Sequence, residues 1–207
     1  MAIKFTIEEL KKLDPCIDGL KWYLKNIKTE DLKEILIQLN NHRPDWSKWL
    51  MVRVLDNTQN RKLAIFSAKS VLHIFEEKYP EDKRPREAIE AAQDYLDGKI
   101  SKEELLVKKR AAAAAYAAAD AYAAYAAAYA ASAAYAAADA YAAYAAAYAA
   151  YAADASAYAD AASAYAYADA ASAYASAYAY ADAAKKDMQE KIINEAIRLK
   201  NGRHNGN

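Results

Sequence analysis

The sequence predicts an all-α fold, a helical bundle in which an Ala/Tyr-rich repeat of antiparallel helices packs on an N-terminal helical part. Three observations support this. Capping residues precede runs of apolar residues at helical spacing, no segment alternates apolar and polar residues as a strand would, and no Gly or Pro lies between residues 100 and 200.

The first helices follow from start and stop signals. Thr6 to Glu9 form a capping box before a short helix that Pro15 must end. A second helix is predicted around residues 16–26. Thr29 precedes two acidic residues suited to a first turn, and a third helix then carries an apolar face. That face consists of Leu32, Ile35, Leu36 and Leu39.

Further signals predict three more segments of the N-terminal part. Asp45, after Pro44, is the expected N-cap of a helix over 46–55, and residues 56–60 are expected to form a loop. Residues 61–79 place a set of large apolar side chains near one face. That set is Leu63, Phe66, Val71, Leu72, Phe75 and Tyr79.

The next helix is bounded by Pro85, suited to a first turn, and by Gly98, suited to a helix end. Ser101 to Glu104 form another capping box, which begins the helix that continues into the Ala/Tyr region.

The Ala/Tyr region, residues 111–184, contains only 48 Ala, 15 Tyr, 6 Asp and 5 Ser. It carries a net charge of −6 between flanks of +3 and +3, which makes the flanks electrostatically complementary to it. Residues 116–131 recur unchanged at 135–150. Because alanine has the highest helix propensity, the region is predicted to be helical, with disorder as the competing interpretation.

Within each copy of the repeat, three tyrosines fall on one arc of a helix and an aspartate lies nearly opposite. One straight helix would scatter the copies over all faces, so we expect helices that fold back near residues 132–134 and 154–156. Filling the gaps between Ala-rich helices is one role for these tyrosines, and lining a recognition surface is the other. The candidate binding residues are Tyr122, Tyr125, Tyr129, Tyr141, Tyr144 and Tyr148, with Asp120 and Asp139 as secondary candidates.

The domain organisation predicted is a single all-α domain over 1–200, with an N-terminal part at 1–98, an Ala/Tyr-rich part at 101–200 and a disordered tail at 201–207. The zero net charge gives no indication of nucleic-acid binding, and the six Asp of the Ala-rich stretch argue against membrane insertion. The single cysteine, Cys16, excludes an intrachain disulfide and is interpreted as a small buried residue in a reducing compartment. We therefore expect a cytoplasmic protein.

Residues for catalysis or for a cofactor are not evident. The three histidines lack metal-ligand spacing, and the four glycines form no phosphate-binding loop, so neither a metal site nor a cofactor nor an enzyme is predicted. The three tryptophans, Trp22, Trp46 and Trp49, are interpreted as core packing. Two basic clusters are interpreted as solvated, or alternatively as anion-binding through Arg84, Arg86, Lys109 and Arg110.

Several stretches resemble an immunity-protein family of bacterial polymorphic-toxin systems, of the alanine-rich all-helical type. They are residues 16–22, 43–50, 63–68 and 79–89, followed by the run into Ala-rich helices. The resemblance covers most of residues 16–184 and implies a cytosolic inhibitor that binds a toxin or effector protein. It brings no established binding residues. This chain departs from the family pattern because residues 111–184 contain no Lys, Arg or His.

The leading functional hypothesis is therefore a non-enzymatic, immunity-type inhibitor of a toxin or effector protein. One alternative is a sponge for a nucleotide-like immune signal, which phages could use against host defence, with tyrosines stacking on bases and the basic clusters binding phosphates. The other is a structural helical scaffold. The −6 charge between two +3 flanks also suggests a homodimer.

Overall fold

The chain folds as an all-α helical bundle, as the sequence predicts. The computed structural model describes residues 2–118 and 172–202. These residues form eight helices: α1 Ile7–Lys12, α2 Ile17–Asn26, α3 Leu32–His42, α4 Pro44–Val54, α5 Asn57–Lys78, α6 Arg84–Leu96, α7 Lys102–Ala118 and α8 Ser172–Asn201. Among them there is no strand, only an isolated antiparallel bridge between Lys4 and Asp31.

The predicted capping boxes at the starts of α1 and α7 are confirmed. The Thr6 backbone N–H donates to Glu9 Oε2 at 2.7 Å, and Glu9 N–H donates back to Thr6 Oγ1 at 3.3 Å. Ser101 and Glu104 pair in the same reciprocal way at 2.8 and 3.2 Å. Each pair satisfies two backbone donors that a helix start leaves unpaired.

The predicted ends of α6 are confirmed as well. Pro85 lies in the first turn, where a missing N–H costs nothing. Gly98 follows the helix with φ +71°, a left-handed conformation that terminates a helix and favours glycine.

Three predicted helix starts were wrong. α3 begins after Asp31, whose side chain accepts from Lys33 N–H, and not near Thr29. α4 begins at Pro44, with Asp45 in the first turn and Arg43 at the N-cap position. Proline suits the first helical position because its fixed φ is already helical.

The expected loop at 56–60 is instead the start of α5. Asp56 is the N-cap and accepts from the N–H groups of Thr58 and Gln59, and the Gln59 side chain accepts from Asp56 N–H. This is a capping box with Asp and Gln in place of Ser and Glu. α5 therefore extends over 22 residues and is the longest helix of the N-terminal part.

The core is organised around α5, which packs against α6 and α8, while α3 packs against α4 and α8. Leu63, Val71 and Phe75 of α5 are at most 1% exposed. Leu63 and Val71 share one buried cluster with Ile35 and Leu36 of α3. Burial of each such side chain removes apolar surface from water and stabilises the fold by about 1.5–3 kcal/mol. This burial is the main stabilisation of the bundle.

The two helices that flank the Ala/Tyr region, α7 and α8, pack in the same core. Leu105 of α7 and Ile192 and Leu199 of α8 belong to one buried cluster. On one straight helix Leu105 and Leu199 would lie about 140 Å apart. α7 and α8 are therefore separate elements of the bundle and not two parts of one rod. The antiparallel helices predicted between them lie outside the described residues.

The ends of α4 and α8 meet the start of α5. Gln59 donates through Nε2 to the carbonyl of Leu199 at 2.7 Å, and Asn60 donates through Nδ2 to the carbonyl of Val52 at 2.9 Å. Lys200 donates to the carbonyl of Val54. These carbonyls lie in the last turns of α8 and α4, where intrahelical donors run out, so α5 and α8 supply the missing donors.

Candidate functional site

An open apolar cavity lies between α1, α2, α3 and α4, and we call it the aromatic groove. Its volume is about 210 Å³. The residues that line it come from the end of α1, the start of α2, and one face each of α3 and α4: Leu10, Pro15, Cys16, Gly19, Tyr23, Leu39, Trp46, Trp49 and Leu50. A cavity of 150 Å³ is enough for a benzene ring, so this groove has room for one large side chain.

Two tryptophans on α4 form one wall of the aromatic groove. Trp46 and Trp49 are three residues apart and therefore lie on the same face of the helix. Trp22 of α2 meets Trp46 edge to face, with ring centroids 5.8 Å apart, and also contacts His42 at 6.1 Å. All three tryptophans of the chain are half-buried and pack against the core, which confirms the packing role predicted for them. The groove that two of them line was not predicted.

Each of the two groove tryptophans carries a stacked arginine. The Arg43 guanidinium lies 5.0 Å from the Trp46 ring centroid, and that of Arg53 lies 4.4 Å from the Trp49 centroid. Such cation–π contacts contribute about 0.5–1 kcal/mol at exposed sites. Neither arginine forms an ion pair with a described residue. The stacking therefore fixes two positive charges beside the groove.

The Cys16 side chain lies at the groove and is exposed, which corrects the prediction of a buried cysteine. It is the N-cap of α2, and its Sγ accepts from Gly19 N–H at 3.3 Å. The role of a helix cap explains the exposure, because the first turn of a surface helix lies at the solvent boundary.

Tyr23 closes another part of the groove. It is 8% exposed, and burial together with the nearby Glu30 carboxylate raises the pKa of its hydroxyl to about 12. No described residue hydrogen-bonds to this hydroxyl. Tyr23 therefore stays neutral at physiological pH and adds apolar surface with one polar atom.

The predicted recognition tyrosines and aspartates belong to the Ala/Tyr region. Tyr122, Tyr125, Tyr129, Tyr141, Tyr144, Tyr148, Asp120 and Asp139 all lie outside the described residues. What the structure does show is the start of their region, where Ala115 of α7 is buried against Phe75 of α5, and Phe75 contacts Tyr79 with centroids 5.1 Å apart.

The residues of the alternative anion site lie at the junction of α5, α6 and α7. Arg84 forms a bidentate pair with Asp82 at 2.6 and 2.8 Å, and Arg86 forms one with Glu76 at 2.6 Å. These pairs lower the pKa of both carboxyl groups. A phosphate would have to displace a carboxylate from each arginine.

The basic residues of α7 extend that junction. Lys108 reaches back to Glu87 of α6, with Nζ 2.9 Å from Oε2. Its neighbours in sequence, Lys109 and Arg110, lie with it in the middle of α7. The two basic clusters therefore lie on packed helices, and three of their side chains, Arg84, Arg86 and Lys108, already contact a carboxylate of the fold.

Within the described part of the chain, no group of three or more His, Cys, Asp or Glu side chains could hold a metal ion. Of the helices over 2–118 and 172–202, none combines the length and the apolar character needed to cross a membrane.

The aromatic groove leaves a faint signal in the sequence. Arg53 follows Trp49 by four residues, which makes the two neighbours on a helix surface, and Arg43 precedes Trp46 by three residues at the N-cap of the same helix. Trp and Arg at this spacing are more typical of a cation–π pair at the surface than of a tryptophan buried in the core. The cavity itself depends on how α1 and α2 approach α4, and local sequence does not encode that approach.

Comparison with known proteins gives one decisive match. The model of the Imm-5 like putative immunity protein family matches residues 53–196, which is more than half of the chain. The chain belongs to this immunity-protein family. The comparisons with curated proteins and with solved structures gave no match. The family match contains α5, α6, α7 and most of α8, whereas the groove lies before it in the sequence.

Proposed function

We propose that the chain is a non-enzymatic inhibitor that binds and neutralises a toxin or effector protein in the cytoplasm. The observation that carries this proposal is membership of the immunity-protein family over residues 53–196. The aromatic groove supports it, because Trp, Tyr and Arg are the residues that dominate binding energy at protein interfaces.

Two surfaces are available for the partner in this proposal. One is the aromatic groove, which is open and apolar. The other is the set of repeated tyrosines predicted from the sequence, Tyr122 to Tyr148 with Asp120 and Asp139. Tyrosine gives a large contact area at low cost in conformational entropy, and the six aspartates of residues 111–184 would suit a basic partner.

The function as a nucleotide sponge has less support. It requires cations beside the tyrosines, and the arginines proposed for phosphate binding, Arg84 and Arg86, are each held by a carboxylate. A ligand would gain less from such an arginine than from a free one, because the existing bidentate bonds are lost.

The test is capture of a partner from the native host, followed by reconstitution. The tagged full chain is used as bait, and each captured protein is then expressed alone and together with the chain. We expect one captured protein to arrest growth when expressed alone and to lose this effect on co-expression. If no captured protein is toxic, or if none is neutralised by the chain, the proposal is wrong.

The tyrosines are tested in the same assay by Tyr→Ser substitution at each of the six positions. Loss of neutralisation with an unchanged melting temperature indicates a recognition residue. A lowered melting temperature with unchanged affinity for the partner, measured where the variant is folded, indicates a tyrosine that packs between helices.

A further inference from the structure

The arginines beside the aromatic groove differ from three other arginines of the described chain. Arg84, Arg86 and Arg198 each hold a carboxylate in a bidentate pair. Arg43 and Arg53 instead stack on the groove tryptophans and pair with no carboxylate of the described residues. Their donors are therefore available to a carboxylate from outside, apart from one Arg53 N–H that donates to the Trp49 carbonyl at 3.4 Å.

The other charged groups near the groove balance one another. Lys11 and Lys12, on the helix that supplies Leu10, form no ion pair with a described residue, and Lys48 pairs with Asp45 at 3.4 Å. Lys21 and Lys25 of α2 likewise form no ion pair with a described residue, and the acidic side chains of the same segments that form none are Glu8, Glu9, Asp14 and Asp18. These four cations and four anions cancel, so Arg43 and Arg53 give the groove two unpaired positive charges, and an acidic occupant is favoured.

The size of the cavity defines the apolar part of the occupant. About 210 Å³ is below the 300–1,000 Å³ of typical pockets for drug-sized ligands, and it suits a single aromatic or branched side chain. The exposed Ile17, 72% accessible and next to Cys16 in the first turn of α2, extends the apolar surface beyond the cavity. A polypeptide that inserts one side chain would cover this surface as well.

We infer that the aromatic groove binds an acidic segment of the protein partner, with one bulky apolar side chain in the cavity and carboxylates on Arg43 and Arg53. This inference rests on the proposed function for the existence of a protein partner. The anchor side chain supplies affinity by filling a desolvated pocket, and the two arginines select for acidic flanks and increase the association rate.

The chain contains its own reporters for this site. Cys16 is its only cysteine and lies at the groove, and all three tryptophans lie in or beside it. The rate at which a disulfide reagent modifies the thiol, and the tryptophan emission, therefore both report occupancy of the groove without any added label.

The first experiment selects ligands for the full-length chain from a random twelve-residue peptide library. We expect the enriched peptides to share one Phe, Trp, Leu or Ile flanked by Asp or Glu. An enriched peptide should shift the tryptophan emission and slow the modification of Cys16 at least tenfold at saturation. Recovery of no ligand, of basic ligands only, or of ligands that leave Cys16 fully reactive would overturn the inference.

Two variants and one control assign the binding to the groove. R43Q/R53Q should lower the affinity for the selected peptide about tenfold and reduce the salt dependence of binding. G19L should lower this affinity more than a hundredfold. A Cβ added at Gly19 would lie 3.1 Å from Cys16 Sγ and 3.9 Å from Trp46 Cε2, so a longer side chain fills the groove. K69Q, which alters an exposed cation on α5 outside the residues that line the groove, should bind like the unaltered chain.

The same variants separate this inference from the proposed function. If the chain neutralises a captured toxin that leaves Cys16 reactive and binds R43Q/R53Q and G19L normally, the groove inference fails and the proposed function stands. If selected acidic peptides protect Cys16 but no captured protein is neutralised, the proposed function fails while the groove retains its ligand class. G19L is compared only at temperatures where circular dichroism shows the helical content of the unaltered chain.

Discussion

Replacing Gln59 by alanine tests the junction where α4, α5 and α8 meet. Gln59 is buried, with 6% of its surface exposed. Its side chain makes two bonds: Oε1 accepts from Asp56 N–H at 3.0 Å, and Nε2 donates to the Leu199 carbonyl at 2.7 Å. The first bond belongs to a helix cap, and the second joins the start of α5 to the end of α8.

The expected loss in Gln59→Ala is the sum of these two contributions. Loss of a capping contact costs about 1 kcal/mol. A buried carbonyl left without a donor costs about 1–3 kcal/mol more. We therefore expect the free energy of unfolding to fall by about 2–4 kcal/mol.

The matched control is Glu9→Ala. Glu9 occupies the same capping-box position in α1 and accepts from Thr6 N–H at 2.7 Å, but its side chain is exposed and joins no second helix. Glu9→Ala should therefore lower the free energy of unfolding by only about 1 kcal/mol. The difference between the two variants measures the contact between α5 and α8.

Both variants are measured by urea unfolding followed by circular dichroism, with the slope against denaturant checked for constancy. Thermal unfolding gives a second estimate, at about 2–4 °C per kcal/mol for a chain of this size. If Gln59→Ala and Glu9→Ala differ by less than about 0.5 kcal/mol, the hydrogen bond to Leu199 does not stabilise the bundle and the reasoning is refuted.

Three further predictions concern other contacts. Because Arg86 lowers the pKa of Glu76, the stability from this pair is present above the ordinary value of 4.5 and is lost as pH falls through the lowered pKa. Glu76→Gln should therefore be less stable than the unaltered chain by about 1 kcal/mol at pH 7, with the gap closing at pH values below about 4 in urea titrations; a constant gap contradicts this. Gly98→Ala should cost about 1–2 kcal/mol through its φ of +71° alone, since nothing lies within 4 Å of the added Cβ, whereas Gly202→Ala should stay within about 0.5 kcal/mol. Cys16→Ser should keep the cap of α2 and leave the melting temperature unchanged or raised, whereas Cys16→Val should lose about 1 kcal/mol; equal melting temperatures for the two would show that the cap is unimportant.

The sequence predicted the helices whose ends have one clear signal. The Thr6/Glu9 and Ser101/Glu104 boxes and the Gly98 stop are complete within a few residues, so tertiary structure had little to add. The start of α3 was misplaced because a distant segment decides it. Phe5 N–H donates to the Glu30 carbonyl at 2.7 Å and Leu32 N–H to the Ile3 carbonyl at 2.9 Å, which leaves the N-cap to Asp31.

The start of α5 shows a different limit of sequence reasoning. Its first turn, residues 57–60, is entirely polar, so apolar spacing gives no indication of a helix there. Gln59 and Asn60 are nevertheless buried, because their amides bond to the carbonyl ends of α8 and α4. A polar side chain that is buried to cap another helix cannot be distinguished from a loop residue without the tertiary structure.

The position of the groove relative to the family match clarifies what each part of the chain contributes. The match begins at residue 53, so membership of the family describes the scaffold from α5 onward and leaves α1 to α3 and most of α4 to be understood from this chain's own residues. α4 connects the two parts. One of its faces presents Trp46 and Trp49 to the groove, and the other buries Ser47 and Met51.

The contacts behind α4 hold its groove face in place. Ser47 Oγ donates to the Leu36 carbonyl at 2.9 Å, Asn40 of α3 donates to Gln189 of α8 at 2.8 Å, and Lys200 donates to the Val54 carbonyl at the end of α4. The tryptophan rings are thus positioned by packing and hydrogen bonds before any partner arrives. A preformed site of this kind loses little conformational entropy on binding, so a modest cavity with two stacked arginines can contribute a large share of the affinity for a protein partner.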